Sequence, residues 1–259
     1  EMYSRLVGSE MCIRDRMEMQ FFVKPGTQKK WYEKWKEKRM QWHKLMGFNE
    51  KDYRYHDHDK LAHYADAACD IEFKFPFGFK ELEGIHSRTD FDLSQHDKFS
   101  GKKLRYFDPE SKETYVPYVV ETSIGLDRMF LSVLTASFQI ENLENDTKRL
   151  VLKIPAFLAP FQAAVLPLVK KDGLEEKSNE LYENLRPFLN VTKDEKDAIG
   201  RRYRRQDAIG TPVCITIDHD TLKDNSVTFR LRDSMEQYRV DLNSVRDELL
   251  KLTNYANFL

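Results

Sequence analysis

Residues 115–138 read YVPYVVETSIGLDRMFLSVLTASF. Tyr115 to Thr122 are mostly aromatic or β-branched, which predicts a buried strand ending in a carboxylate, Glu121. Gly125 breaks that strand. Leu126, Met129, Phe130, Val133, Leu134 and Phe138 then recur at the three-and-four spacing of a strongly amphipathic helix. An acid and a hydroxyl therefore stand at a strand end, followed by a glycine that lets a ligand approach the backbone. Arg128 falls in the first turn of the helix, where the positive end of the helix dipole disfavours a cation. Two readings fit it. It pairs with Asp127 or another acid, or it meets an anion and a planar face, both of which a nucleotide supplies.

Towards the N-terminus, Ile71 to Phe79 (IEFKFPFGF) places Ile71, Phe73, Phe75, Phe77 and Phe79 on one side of a period-two pattern, as in a strand with one buried face. Pro76 and Gly78 mark an edge, a bulge or a ligand-facing bend. Lys80 to Leu93 is too charged for a plain core strand. Its Glu81, Glu83, Arg88, Asp90 and Asp92 form either a solvated charge run or a site in which acids hold Mg²⁺ and an arginine clamps a carboxylate. Tyr53 to Cys69 contains His56, His58 and His63 without a second ligand pair at zinc spacing, which favours hydrogen-bonded or solvated histidines over a metal. Lys29 to Met46 predicts a helix with Trp31, Trp35, Trp42 and Leu45 near one stripe. Lys24 to Met46 carries eight Lys/Arg against two Glu, so the opposite face is basic. It is either a solvated face or one turned towards RNA. Met17 to Val23 predicts a strand. Met2 to Arg16 fits neither a strand nor a capped helix and resembles a stray translation of sequencing-adapter DNA, so residues 1–16 are set apart; the alternative is a genuine disordered start.

Beyond the helix, Glu141 to Arg149 is charged and predicts an interdomain linker. Strand and helix then alternate: Ala163–Val169, Thr211–Asp218 and Val227–Arg232 as strands, Leu174–Leu189 and Val240–Leu252 as helical segments, the latter with Leu242, Val245, Leu249 and Leu252 on one side. That order implies a compact mixed α/β domain over 151–259. Ala198 to Ile209 packs four arginines around Tyr203. Either they pair with Asp194, Glu195, Asp197 and Asp207 in a surface loop, or they face a nucleic acid.

The bulk numbers bound these readings. The 259 residues are 41% hydrophobic with a net charge of −1, so the chain has enough apolar residues for packed cores and no global field that attracts nucleic acid. Cys12, Cys69 and Cys214 are sparse and odd in number, which argues against a disulfide framework and fits a reducing cytoplasm. No apolar run approaches the roughly 18–20 residues of a membrane span.

Four blocks make a family resemblance specific. KFPFGFKELEGIHSRTDFDLSQH (74–96) and VPYVVETSIGLDRMFLSVL (116–134) resemble the catalytic domain of glycyl-tRNA synthetase, the second being its version of class II motif 3. IGRRYRRQDAIGTPVCITIDHDTLKDNSVTFRLRDSMEQ (199–237) resembles its anticodon-binding domain, and MEMQFFVKPG (17–26) the tail of the region after motif 2. The resemblance implies a partial class II antiparallel-sheet catalytic domain over 17–150, backed by the 126–138 helix, followed by the anticodon-binding domain.

It also implies roles. Glu121 and Ser123 hold glycine's ammonium group in a pocket too small for a side chain, with Glu18, Arg88, Thr122, Ile124 and Gly125 around it. Glu81, Leu82, Gly125, Leu126, Asp127 and Arg128 contact ATP, Arg128 by stacking on adenine, and Glu81 is the candidate Mg²⁺ ligand. Arg201, Arg202, Tyr203, Arg204 and Arg205 contact tRNA. The parent would be a cytoplasmic homodimer that ligates glycine to tRNA(Gly), and no covalent nucleophile is needed. Motif 1 and the α-phosphate-gripping arginine of motif 2 are not found here, which implies binding remnants rather than turnover. The competing reading is a stand-alone RNA-binding or regulatory module derived from a synthetase.

Overall fold

The computed structural model describes residues 15–46, 49–143 and 147–255. They separate into two compact units, Glu1–Thr135 and Ala136–Leu259.

The first unit is built on a five-stranded, wholly antiparallel sheet in the order β1-β7-β4-β3-β2, with β1 Arg16–Val23, β2 Tyr53–Asp57, β3 Ala65–Phe75, β4 Gly78–Arg88 and β7 Tyr118–Gly125. The helix packed against β3, β4 and β7 is α1, Gln28–Leu45, rather than the helix after β7. Its buried residues are Gln28, Tyr32, Met40 and His43, while Trp31, Trp35 and Trp42 flank that stripe half-buried and Leu45 is exposed. The apolar spacing pointed one face over because two buried positions are polar. His43 Nε2 meets Glu83 at 2.7 Å and Gln28 Nε2 donates to Asp66 at 2.9 Å, so both owe their burial to strand partners that local sequence cannot reveal, although His43 Nδ1 and Gln28 Oε1 have no partner among the described residues.

Two expectations about strands are corrected. The aromatic run 71–79 is a hairpin: β3 ends at Phe75, Pro76 and Phe77 turn, and β4 starts at Gly78, whose φ of +103° suits a residue without a side chain. Phe77 is therefore exposed at the tip. The stretch that follows, expected to be too charged for a plain core strand, is β4, the central strand, as far as Arg88. Its Glu83 is fully buried because Arg39 Nε at 2.5 Å and His43 neutralise it.

A short helix α2, Phe91–Ser100, and a two-stranded ladder, β5 Tyr106–Phe107 with β6 Thr114–Tyr115, precede β7. The helix α3, Leu126–Ser137, follows it directly. Met129, Ser132, Val133 and Ser137 are buried on α3, whereas Leu126 and Phe130 are exposed. Residues 1–14, including Cys12 and most of the segment set apart, lie outside the described residues. Asp15 and Arg16 do not fit that exclusion: Arg16 pairs with Gly125 across β1 and β7, and the Asp15 carbonyl accepts from the Leu126 amide at 2.8 Å.

The second unit begins with two paired strands, β8 Phe138–Asn142 and β9 Lys148–Leu152, so Glu141, Asn142, Lys148 and Arg149 of the expected 141–149 linker lie in a ladder, residues 144–146 lie outside the described residues, and the unit starts before residue 151. Its main sheet is mixed, in the order β11-β10-β12-β13-β14, with β10 Ala163–Pro167, β11 Val191–Lys193, β12 Val213–Ile217, β13 Ser226–Leu231 and β14 Gln237–Asp241. β10 runs parallel to β11 and β12, and β13 runs antiparallel to both β12 and β14. α4, Leu174–Leu185, and a C-terminal helix, Val245–Thr253, bury Leu174, Leu181, Leu185, Val245 and Leu249 in a core with Val165, Ile215 and Phe229 of the strands. On the opposite face Ala164, Leu166 and Cys214 are covered by Ile199 and Tyr203 of α5, Ile199–Ile209. β10 is thus apolar throughout and β12 apolar except for Thr216, as suits strands covered on both faces. Burial pushes the Cys69 and Cys214 thiols up to about 12, so both are inert, structural cysteines.

Candidate functional site

In the first unit α1 covers one face of the sheet and leaves the other open. Residue parity assigns the side chains. Glu83 of β4 reaches α1 and pairs with Ile124, so Thr122, Ile124 and Ile85 share the α1 side. Glu121 and Ser123 of β7, Glu18 and Gln20 of β1, and Gly84, His86 and Arg88 of β4 share the open side. Thr122 and Ile124, expected among the glycine-binding residues, have their side chains buried against the α1 side, so it is their backbone that borders the open face. Leu82 is likewise buried.

On the open face Glu121 is the hub. Its Oε2 accepts from Gln20 Nε2 at 2.6 Å and from Arg88 Nη1 at 2.9 Å. Arg88 is fixed further by Asp92 at 2.9 Å and by the Tyr64 ring, 4.3 Å from its guanidinium carbon. Ser123 Oγ donates to Glu18 Oε1 at 3.2 Å and accepts from Arg16 at 3.2 Å. The result is two carboxylates, a hydroxyl and an arginine within one stretch of three strands, partly buried, where charge-assisted hydrogen bonds gain strength. A side chain at Gly125 would meet nothing closer than Arg128 Cβ at 3.9 Å, so the space above that backbone is open to a ligand.

Glu81 and Arg128 form the second part. Arg128 Nη1 donates to the Glu81 carbonyl at 2.6 Å and lies 3.3 Å from its carboxylate. Plain alternation would send Glu81 to the opposite face from Gly84. A β-bulge prevents this: Ile71 pairs with Glu83 and Glu72 with Glu81, leaving Leu82 unpaired. Glu81 thereby returns to the open face, two positions of β3 beyond the Gly84 level, roughly 7 Å along the sheet. Glu121, Ser123, Glu18, Arg88, Glu81 and Arg128 consequently share one face, with Leu126 and Asp127 exposed beside Arg128 at the start of α3.

Sequence reading missed Gln20, His86 and Arg16. The signal was available for two of them, since Gln20 lies two residues past Glu18 and His86 two before Arg88. Burial, opposed by Glu121, pushes the His86 imidazole below its ordinary value. No group of three or more His, Cys, Asp or Glu capable of holding a metal occurs among the described residues. Glu81 alone fits a Mg²⁺ ion only as one ligand of an ion whose other ligands are phosphate oxygens and water, the usual habit of that cation.

In the second unit the arginine-rich segment is helical, and most of it is already engaged. Arg202 is 3% exposed and donates to the carbonyls of Pro167, Leu168 and Asp194. Tyr203 bonds Thr216 at 2.6 Å and is stacked by Arg230. Arg205 is held by Asp194 and Asp197 at 2.8 Å each. The expectation that Arg202 and Tyr203 face tRNA is corrected, because both are built into the fold. Arg201, whose side chain is 78% exposed and only 3.7 Å from Asp197, and exposed Arg204 are the outward cations of α5. Behind them lies a buried network. Asp207 accepts from Arg149 Nε at 2.9 Å and from both terminal nitrogens of Arg230 at 2.8 and 3.0 Å, while Arg149 also reaches Glu141 and the Arg232 carbonyl.

An antiparallel sheet carrying an acid, hydroxyl and arginine site, together with a mixed α/β unit whose residues 162–252 match the anticodon binding domain model, defines a class II aminoacyl-tRNA synthetase architecture. The particular kind follows from the relatives: the chain is a homologue of glycine–tRNA ligases. It is 50% identical over 236 residues to that of Chlorobaculum tepidum, covering 91% of this chain and 50% of the relative. The glycine–tRNA ligases of Treponema denticola and Borrelia hermsii are each 46% identical, over 88% and 92% of this chain and 52% and 56% of their own lengths. The chain thus spans about half the length of the curated relatives it matches. Among the described residues no helix is long and apolar enough to cross a membrane.

Proposed function

We propose that this chain supplies the glycine-recognition side of the activating site and the anticodon-binding domain of a glycine–tRNA ligase. The observation that carries the reading is the Glu121 hub, with Gln20 and Arg88 on one carboxylate oxygen and the Ser123–Glu18 pair beside it. Two carboxylates and a hydroxyl suit an ammonium group, and Arg88 suits the negative charge of an amino acid or its adenylate. For glycine to be selected, the other half of the site must close over this face so that a side chain on the substrate has nowhere to go. ATP would lie towards Arg128, which exchanges its contact with Glu81 for a phosphate and an adenine face. Mg²⁺, when bound with ATP, would neutralise phosphate charge next to Glu81. The protein's contribution is positioning and charge compensation as the glycine carboxylate attacks the α-phosphate and pyrophosphate leaves. Arg201 and Arg204 are the groups on α5 placed to meet tRNA phosphates.

The test joins this chain to the remaining half of the Chlorobaculum tepidum relative and measures glycine-dependent exchange of pyrophosphate into ATP. Exchange with glycine but not alanine is expected. Glu121→Gln and Ser123→Ala should raise the KM for glycine at least about tenfold while changing that for ATP little. Equal loss for both substrates would overturn the pocket assignment. A folded hybrid with no exchange and intact tRNA binding would support the stand-alone RNA-binding reading instead.

A further inference from the structure

Glu121 is only half satisfied. Its Oε2 takes both hydrogen bonds described above, while its Oε1 faces His86 Nδ1 at 4.0 Å, beyond hydrogen-bond range. That Nδ1 is itself buried and has no hydrogen-bond partner among the described residues, a costly condition that a ligand or a water here would relieve. His86 and Glu121 are direct cross-strand partners, so backbone register rather than a mobile side chain sets the gap.

The other groups around the ring are already occupied. Asp70 on β3 pairs with His58 at 2.9 Å, and Arg88 is shared by Glu121 and Asp92. Gly84 completes the arrangement, since a Cβ there would lie 2.9 Å from His86 Cε1. A glycine in mid-strand is what lets the imidazole lie flat over β4.

With its proton on Nε2, the imidazole presents a lone pair at Nδ1 towards the carboxylate. Two acceptors facing each other across such a gap are bridged by one donor with two hydrogens, a water in the free protein and an ammonium group when substrate displaces it. A nitrogen about 2.9 Å from each sees them at roughly 90°, an angle that two N–H bonds of one ammonium can span. We propose that His86 Nδ1 and Glu121 Oε1 together form the seat of the substrate's ammonium group, with Gly84 as the residue that makes room for the ring. The proposal rests on the reading of this face as a glycine site.

The test is ligand-observed NMR titration of the full 259-residue chain with glycine, with methylamine as an ammonium lacking a carboxylate, and with acetate as the converse. His86→Leu keeps bulk and removes the acceptor, and should weaken glycine and methylamine about tenfold while leaving acetate unchanged. His86→Asn, whose amide reaches the Nδ1 position, should stay within about threefold of the unsubstituted chain. Gly84→Ala, which touches no ligand group but pushes the ring aside, should weaken methylamine as His86→Leu does. Unaltered glycine binding by a folded His86→Leu chain would overturn the seat alone. Equal loss in the Asn and Leu variants would also overturn it, by showing a role of shape only. Absence of glycine and methylamine binding in the unsubstituted chain would overturn the glycine reading and the seat with it.

Discussion

The two units use arginine in opposite ways. In the antiparallel sheet, Arg88 and Arg128 stand on an open face, each held by acids that a ligand can displace or join. In the mixed sheet, Arg149, Arg202, Arg230 and Arg232 are buried and spent on carbonyls and on Asp207. A cluster of arginines in sequence therefore says little about binding until the acids and carbonyls around it are placed. What distinguishes a site is the acceptor or donor left over, not the number of charges gathered.

Removing the acid at the centre of the buried network should break this contrast most severely. Asp207→Ala leaves Arg149 and Arg230 without their shared carboxylate and is expected to cost about 3–5 kcal/mol, read as loss of the second unit's transition in urea melts followed by circular dichroism. Retained stability would mean that the network contributes nothing. Next in size, Arg202→Ala strands three backbone carbonyls and should cost about 2 kcal/mol. Replacing Arg201 and Arg204 together should change stability by less than about 0.5 kcal/mol, yet lower the salt dependence of tRNA binding by roughly one to two log units per log unit of salt. If Arg202→Ala proves neutral in melts while the exposed pair is destabilising, the assignment is reversed.

The first unit's buried acid allows a finer test. Burial alone would raise the Glu83 carboxyl, but His43 and Arg39 outweigh it and hold the group below its usual 4.5. The folded state therefore binds this proton more weakly than the unfolded chain does. The stabilisation is complete above about pH 4.5 and disappears as pH falls through the lowered folded value. Glu83→Gln should flatten the acid limb of a plot of melting temperature against pH, leaving the region above pH 6 with a smaller, constant offset. An unchanged acid limb would show that Glu83 does not carry the pH dependence.

These long-range partners also explain what could be read from the chain. β7 and the strands β10 and β12 were legible from their β-branched and apolar residues, and α3 from its three-and-four spacing, although Leu126 and Phe130 of that stripe are exposed. Glu121, Ser123, Arg88 and Arg128 were legible as a group because they fall in two contiguous blocks. The buried face of α1 was not, since His43 and Gln28 owe their burial to Glu83 and Asp66. Nor was the buried face of α5, where Arg202, Gln206 and Asp207 take the positions that apolar residues would occupy in a readable helix. Arg149 looked like linker for the same reason, with its partner Asp207 58 residues away. The two-residue turn at Pro76–Phe77 was masked by phenylalanines that kept an apparent period of two through a change of strand.

The unpaired Leu82 acts as a phase shifter within β4. A strand alternates like a two-state counter, and this single residue adds one count between the part of the site that faces the amino acid and the part that faces Arg128. If Leu82 were drawn into the ladder opposite Glu72, every functional side chain would remain in the sequence and Glu81 would still turn through the sheet to the α1 side, uncoupling the two halves of the face without removing either.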